Sequence, residues 1–348
     1  MRGWVTQALR IVALLVAAGP VLALDTVTWL YQVDVDVADQ SPKAREEAAA
    51  QGLVEVLSRV SGLAQPSVSE PALASALAQA ERYVSRYTYQ SEVDEGQRRT
   101  FVQFNFEPTL VQDLARNAGL PIWSSRRPTI ATWIGAVASR DFELLVDGEA
   151  PMLEALAEAG RKRGIALTVP EDAPPSRLLY QGASEPVLRY AQSAGTHGVL
   201  VGRVETVGGR GVAGRFELML PDRPGEVFNL NARSEEQLTA QAANRVADVL
   251  ARLFAVAGGE QGVVVLRVEG VGMVADYADL MRYLESLEYL TRVEVLEAGA
   301  DYLRLAVETA ADVDRLQELL GAGERLVPAG QTGLDPVVRL DPTLIWQG

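Results

Sequence analysis

Between Gly262 and Val327 the hydrophobic pattern switches repeatedly between a period of two and a helical period, and few folds accommodate that order. Val263–Val268, Val293–Leu296, Leu303–Val307 and Arg325–Val327 read as short strands, and residues 276–287 and 310–320 as helices. Thr309-Ala-Ala-Asp312 supplies the cap of the second helix. Strand, helix, strand, strand, helix, strand is the split βαβ order of a ferredoxin-like domain.

The rest of the chain reads as two further mixed units. In residues 24–127, Val33, Val35 and Val37 alternate with Gln32, Asp34 and Asp36 as a half-buried strand. Ser41-Pro42 opens a helix that Gly62 closes, and Ser69-Glu70-Pro71 opens a second through Leu73, Leu77, Ala80 and Val84. Thr100–Phe106 reads as a strand and Leu110–Ala118 as a helix, giving βααβα. Residues 128–257 read as an α/β unit: strand 129–134, helix 152–163, strand 165–169, helix 185–194 and a hairpin of 199–207 with 212–220. Ser234-Glu-Glu-Gln237 is a capping box for a helix reaching Phe254. The expected class is therefore α+β or α/β and multidomain. Its parts are a 1–23 leader, 24–127, 128–257, a ferredoxin-like 262–328 and a 329–348 tail.

The leader is read from Arg2 and Arg10, the apolar run Ile11–Ala18, the breaker Gly19-Pro20 and the small residue Ala23. That is a secretory signal peptide cut after Ala23, its apolar run too short to span a bilayer. Periplasmic export, no transmembrane segment and no lipid anchor are the expectations, the last because the chain has no cysteine. With 46 acidic against 32 basic residues the net charge is −14, which argues against nucleic acid as a partner. Residues 258–348 carry seven basic and sixteen acidic side chains and are the most acidic part.

A single histidine, His197, and no cysteine exclude most metal and nucleophile chemistry. Gly209-Arg-Gly-Val-Ala-Gly214 matches the dinucleotide glycine string, but strand character continues after it, so it reads as a hairpin turn. His197 lies between a helix end and a strand, where a structural role is the default. Asp34 and Asp36 read as the solvent face of a strand. No cofactor or metal is expected. The cluster to watch is Trp123, Arg126, Arg127 and Trp133, aromatics beside arginines that suit an interface or a sugar-stacking surface. The structural alternative is an interdomain joint with both tryptophans buried and the arginines paired.

Some segments carry a resemblance. Ala44-Arg45 with Gly52–Gly62, Ala80–Val84, Leu114–Trp123, Arg127–Trp133 and Gly262–Gly270 with Asp276-Tyr277 and Leu280 are similar to a bacterial exported family catalogued as domain of unknown function 2066. That resemblance implies an exported protein and transfers no activity. The element order of 128–257 is similar to the TolB N-terminal domain. The expected function is a non-catalytic envelope binding or assembly protein with a protein partner. The alternatives are a carboxylate-based hydrolase of envelope polymers and a small-ligand carrier. Oligomeric state stays open.

Overall fold

The computed structural model describes residues 24–348 other than 68–70, 95–96, 139–140, 146–149, 210, 324 and 330–341. The leader expected at 1–23 lies outside the described residues. Helices and sheets are mixed throughout, in the element order β1 to β18 and α1 to α9. No helix among the described residues is long and apolar enough to cross a membrane.

The N-terminal unit comprises β1 (Asp25–Thr26), β2 (Gln32–Asp36), α1 (Pro42–Ser61), α2 (Pro71–Leu77), β3 (Val84–Asp94), β4 (Gln97–Phe106), α3 (Pro108–Asn117), β5 (Ile122–Trp123) and β6 (Arg126–Arg127). Helix α1 forms where the sequence places it: Ser41 Oγ accepts from the Ala44 amide, Pro42 sits in the first turn, and Gly62 ends the helix at φ 73°. Its apolar stripe of Leu53, Val56, Leu57 and Val60 is buried, as are Val33, Val35, Val102, Phe104 and Phe106 of the antiparallel sheet β2-β4-β3. The second helix is shorter than its apolar spacing suggests: it ends at Leu77, a 3-10 turn takes Ala80–Tyr83, and β3 begins at Val84. A ten-residue partner, β4, supplies a full ladder there, and the alternation of Tyr87 and Tyr89 suits a strand.

The middle unit comprises β7 (Thr129–Ala138), β8 (Asp141–Leu144), α4 (Pro151–Lys162), β9 (Ala166–Thr168), α5 (Ser176–Gln181), α6 (Glu185–Ser193), β10 (Gly198–Val207), β11 (Gly211–Met219), β12 (Glu226–Ala232), α7 (Glu235–Phe254) and β13 (Ala255–Val256). The sheet runs β12-β11-β10-β7-β8, with β9 also parallel to β7. Strands β7 and β10 are parallel and buried on both faces, which is why they read as unbroken apolar runs. Helices α4 and α7 cover one face, and α5 and α6 the other. The glycine string falls in the β10–β11 hairpin, whose register pairs Val199 with Met219 and Val207 with Gly211.

The C-terminal unit comprises β14 (Gly262–Glu269), α8 (Val274–Glu285), β15 (Arg292–Ala298), β16 (Tyr302–Thr309), α9 (Val313–Ala322), β17 (Leu326–Pro328) and β18 (Thr343–Trp346). Its sheet order, β15-β16-β14-β18-β17, corrects the expected tail. Thr343-Leu-Ile-Trp346 lies parallel to β14 and antiparallel to β17, inserted between strands that a plain ferredoxin-like sheet would pair directly. Burial explains the insertion: Leu344 and Trp346 complete the core beneath α8 and α9. Buried residues of the N-terminal and C-terminal units form one continuous cluster, with Ile122 and Val256 beside Tyr289 and Leu290.

Candidate functional site

The sequence cluster divides on folding. Trp123 is buried in the core between the middle sheet and α7, and Trp133 in the core on the opposite face of that sheet. The two tryptophans therefore form no common surface. Arg126 is half-buried and turns to the C-terminal unit, where its guanidinium lies 5.1 Å from the Tyr283 ring and donates to Ser286 Oγ. Arg127 turns the other way and is fully buried.

Among the described residues Arg127 has no carboxylate within hydrogen-bond range. Its Nε donates to Ser124 O (2.8 Å), Nη1 to Gly164 O (2.7 Å), and Nη2 to Arg59 O (2.7 Å) and Trp123 O (3.1 Å). Its guanidinium lies 3.9 Å from the Trp123 ring centroid. Arg59 O is among the last carbonyls of α1, and Gly164 O lies just past the end of α4. Helix C-termini carry partial negative charge and unpaired carbonyls, so two of them converging on one cation replace the missing carboxylate. Burial pushes the Arg127 pKa down to about 9, with Glu288 opposing, and the side chain stays charged at neutral pH.

Two more buried arginines extend this joint. Arg163 donates to Gly62 O (2.8 Å), Asn244 Oδ1 (2.5 Å) and Asp248 Oδ1 (2.9 Å), tying α1, α4 and α7 together. Arg59 donates to Gln32 O (2.6 Å) and Glu55 Oε1 (2.5 Å). Glycine is required where the units touch. A Cβ on Gly164, at φ +73°, would stand 2.3 Å from Arg127 Nη1. On the C-terminal side, Glu288 accepts from Ser124 Oγ (2.6 Å) and the Ser125 amide (3.1 Å), and Arg116 donates to Glu288 O (2.8 Å). Strands β5 and β13 pair across the same region. The segment 122–127 thus contacts all three units, and Trp123, Arg126 and Arg127 are spent on holding them together.

Arg59, Arg163, Gly164 and Glu288 were not singled out as site residues in the sequence, although Gly164 reads there as the stop of the helix 152–163. A signal existed for Arg59 alone, a cation set among Val56, Leu57 and Val60 on the apolar stripe of α1.

His197 meets Asp25 and Thr129 at the edge of the middle unit. Its Nδ1 accepts from the Thr129 amide (3.1 Å) and lies 3.9 Å from Asp25 Oδ2, while Thr129 Oγ1 donates to Asp25 Oδ2 (2.6 Å). An acceptor Nδ1 assigns the proton to Nε2, and the hydroxyl points at the carboxylate rather than the imidazole. That is the reverse of a nucleophile–base–acid relay, in which Nδ1–H donates to the acid and Nε2 takes the hydroxyl proton. Asp36 of the Asp34/Asp36 pair is bound to Arg99 at 2.5 Å on the solvated face of the sheet. Among the described residues no group of three or more His, Asp or Glu could hold a metal ion.

Residues 25–124 match the model of a domain of unknown function, DUF8605. No curated protein matches the sequence. The DUF8605 match overturns the similarity drawn above to domain of unknown function 2066, and the likeness of the middle unit to the TolB N-terminal domain has no support. The quoted segments explain the error. Gly52–Gly62 is the glycine-closed end of an amphipathic helix, and Leu114–Trp123 a helix end, a turn at Gly119 and a short strand, forms that packing imposes on unrelated chains.

Proposed function

We propose that this chain is an exported, non-catalytic binding protein of the cell envelope, which presents fixed surfaces to a basic protein partner. One observation carries the reading. At the start of α8, Met273 is 67% exposed, Val274 87% and Tyr277 41%, an apolar tip on the most acidic part of the chain. Exposed apolar groups that cluster, rather than scatter singly, mark recognition surfaces. Methionine adapts its shape to a partner at little cost.

The tip is held firmly. Val271 is buried beneath it, the Gly270 and Val271 amides donate to Asp301 O (2.9 and 3.1 Å), and Asp276 Oδ2 accepts from the Met273 amide (2.9 Å). The Asp276 carboxylate lies at the tip, and residues 258–348 carry sixteen acidic against seven basic side chains, which favours a partner with basic residues around an apolar socket and disfavours anionic membranes and polymers. Export rests on the composition of residues 1–23. The joint supports the reading: Arg127 fastens the N-terminal and middle units, and Glu288, bound by Ser124 and Ser125, fastens the C-terminal unit to them.

The test compares affinity recovery from intact crosslinked cells for three chains: wild type, Val274→Glu and His197→Ala. The reading expects the same basic envelope protein with wild type and His197→Ala, and its loss with Val274→Glu. Retention of the partner by Val274→Glu, or loss of function in His197→Ala with the fold intact, contradicts it.

A further inference from the structure

Strand β3 is the open edge of the sheet β2-β4-β3, and over eleven residues it is paired on one side only. Exposed edges of that length template another strand unless something blunts them. Here the ladder is irregular only at the start, between Val84 and Arg86, and no proline interrupts the strand. Beside its first half lies a groove of about 410 Å³ lined by Arg45, Glu81, Ser85, Arg86, Tyr87 and Phe104. The floor is fixed, with Arg45 bound to Glu81 (2.6 Å) and its guanidinium 5.0 Å from the Tyr87 ring. Toward the other end of the strand, Val93 is 70% exposed.

Charge complementarity selects the occupant. Arg86 and Glu92 lie on the solvated side of β3, and neither makes an ion pair among the described residues. They are symmetric about Tyr89. We infer that β3 pairs antiparallel with β3 of a second copy of this chain about a two-fold axis at Tyr89, joining two three-stranded sheets into one of six strands. In that register Arg86 of each copy stands opposite Glu92 of the other, so two ion pairs form across one contact. Ser85 stands opposite Val93, and directly opposed residues share a face. The exposed Val93 of each copy therefore lies beside Tyr87 of the other, over the groove. Each copy completes the groove of its partner, and backbone hydrogen bonds along the edge supply the affinity, as in other strand-addition contacts.

The experiment is sedimentation equilibrium on the intact chain and three variants: Arg86→Glu, Glu92→Arg and the double exchange Arg86→Glu/Glu92→Arg. Both side chains are on the surface, so circular dichroism should match wild type. Wild type is expected to be a concentration-dependent dimer. Each single variant opposes like charges twice and should weaken the dimer roughly tenfold or more, and the double exchange should restore it. A wild-type monomer at every attainable concentration overturns the inference. A dimer indifferent to Arg86→Glu, or one that the double exchange leaves broken, overturns it equally.

Discussion

Replacing Arg127 by leucine removes a side chain that bonds the ends of α1 and α4 at once. Four hydrogen bonds from a charged donor are lost, each worth about 1.5–3 kcal/mol net, so the gross loss is roughly 6–12 kcal/mol. Against it stands relief of the buried charge: a pKa lowered from 12.5 to about 9 by burial corresponds to about 5 kcal/mol. The difference centres on about 3–5 kcal/mol, the range found when one partner of a buried charged contact is deleted. In a chain of this size that is a fall in melting temperature on the order of 5–10 °C. The shape of the transition is the sharper readout. Calorimetry should show one cooperative transition for wild type and two for Arg127→Leu, because the N-terminal and middle units lose their central fastening and keep the bond of Arg163 to Gly62 O. Arg127→Lys keeps the charge without the planar fork, and should recover little. Arg126→Leu, at a half-buried site, should lose under about 1 kcal/mol. A single transition in Arg127→Leu with a loss under about 1 kcal/mol would refute the reasoning.

Other consequences follow from the same geometry. Gly164→Ala combines left-handed strain of about 1–2 kcal/mol with a Cβ 2.3 Å from Arg127 Nη1. Gly119→Ala, at φ +65° with open space around it, has the strain alone, so denaturant unfolding should rank Gly164→Ala clearly the worse. Burial pushes the Tyr31 pKa up to about 12, against the hydrogen bond from Gln112 Nε2 (2.8 Å). The stability this represents is present below pH 10 and is lost as pH rises from 10 through 12, to about 3 kcal/mol at most. Unfolding at increasing pH should show that slope in wild type and a shallower one in Tyr31→Phe; equal slopes contradict the assignment.

Local signals were legible where local physics decides. The cap at Ser41 and the stop at Gly62 placed α1, and the unbroken apolar runs of β7 and β10 followed from burial on both faces. The strands that escaped notice lack a clean local pattern or a local partner. β3 carries Arg86, Gln90 and Glu92 on its solvated face, which hides its alternation, and β18 is four residues long and lies beside a strand some 75 residues earlier. The site divides in the same way. Aromatics beside arginines at 123–133 were visible, but a sheet separates Trp133 from Trp123, and no local pattern says which face each side chain takes. That Arg127 would be satisfied by backbone carbonyls alone depends on two helix ends meeting in space.

The central claim is that the chain acts by presenting a fixed acidic surface with an apolar tip to one basic partner. The most direct measurement places a photoreactive amino acid at Met273 in living cells, with a matched probe at Val263, exposed elsewhere on the same unit. The account predicts an adduct with a single basic envelope protein at Met273, abolished by Val274→Glu and absent at Val263. Equal labelling at both positions, or none at Met273, would contradict it.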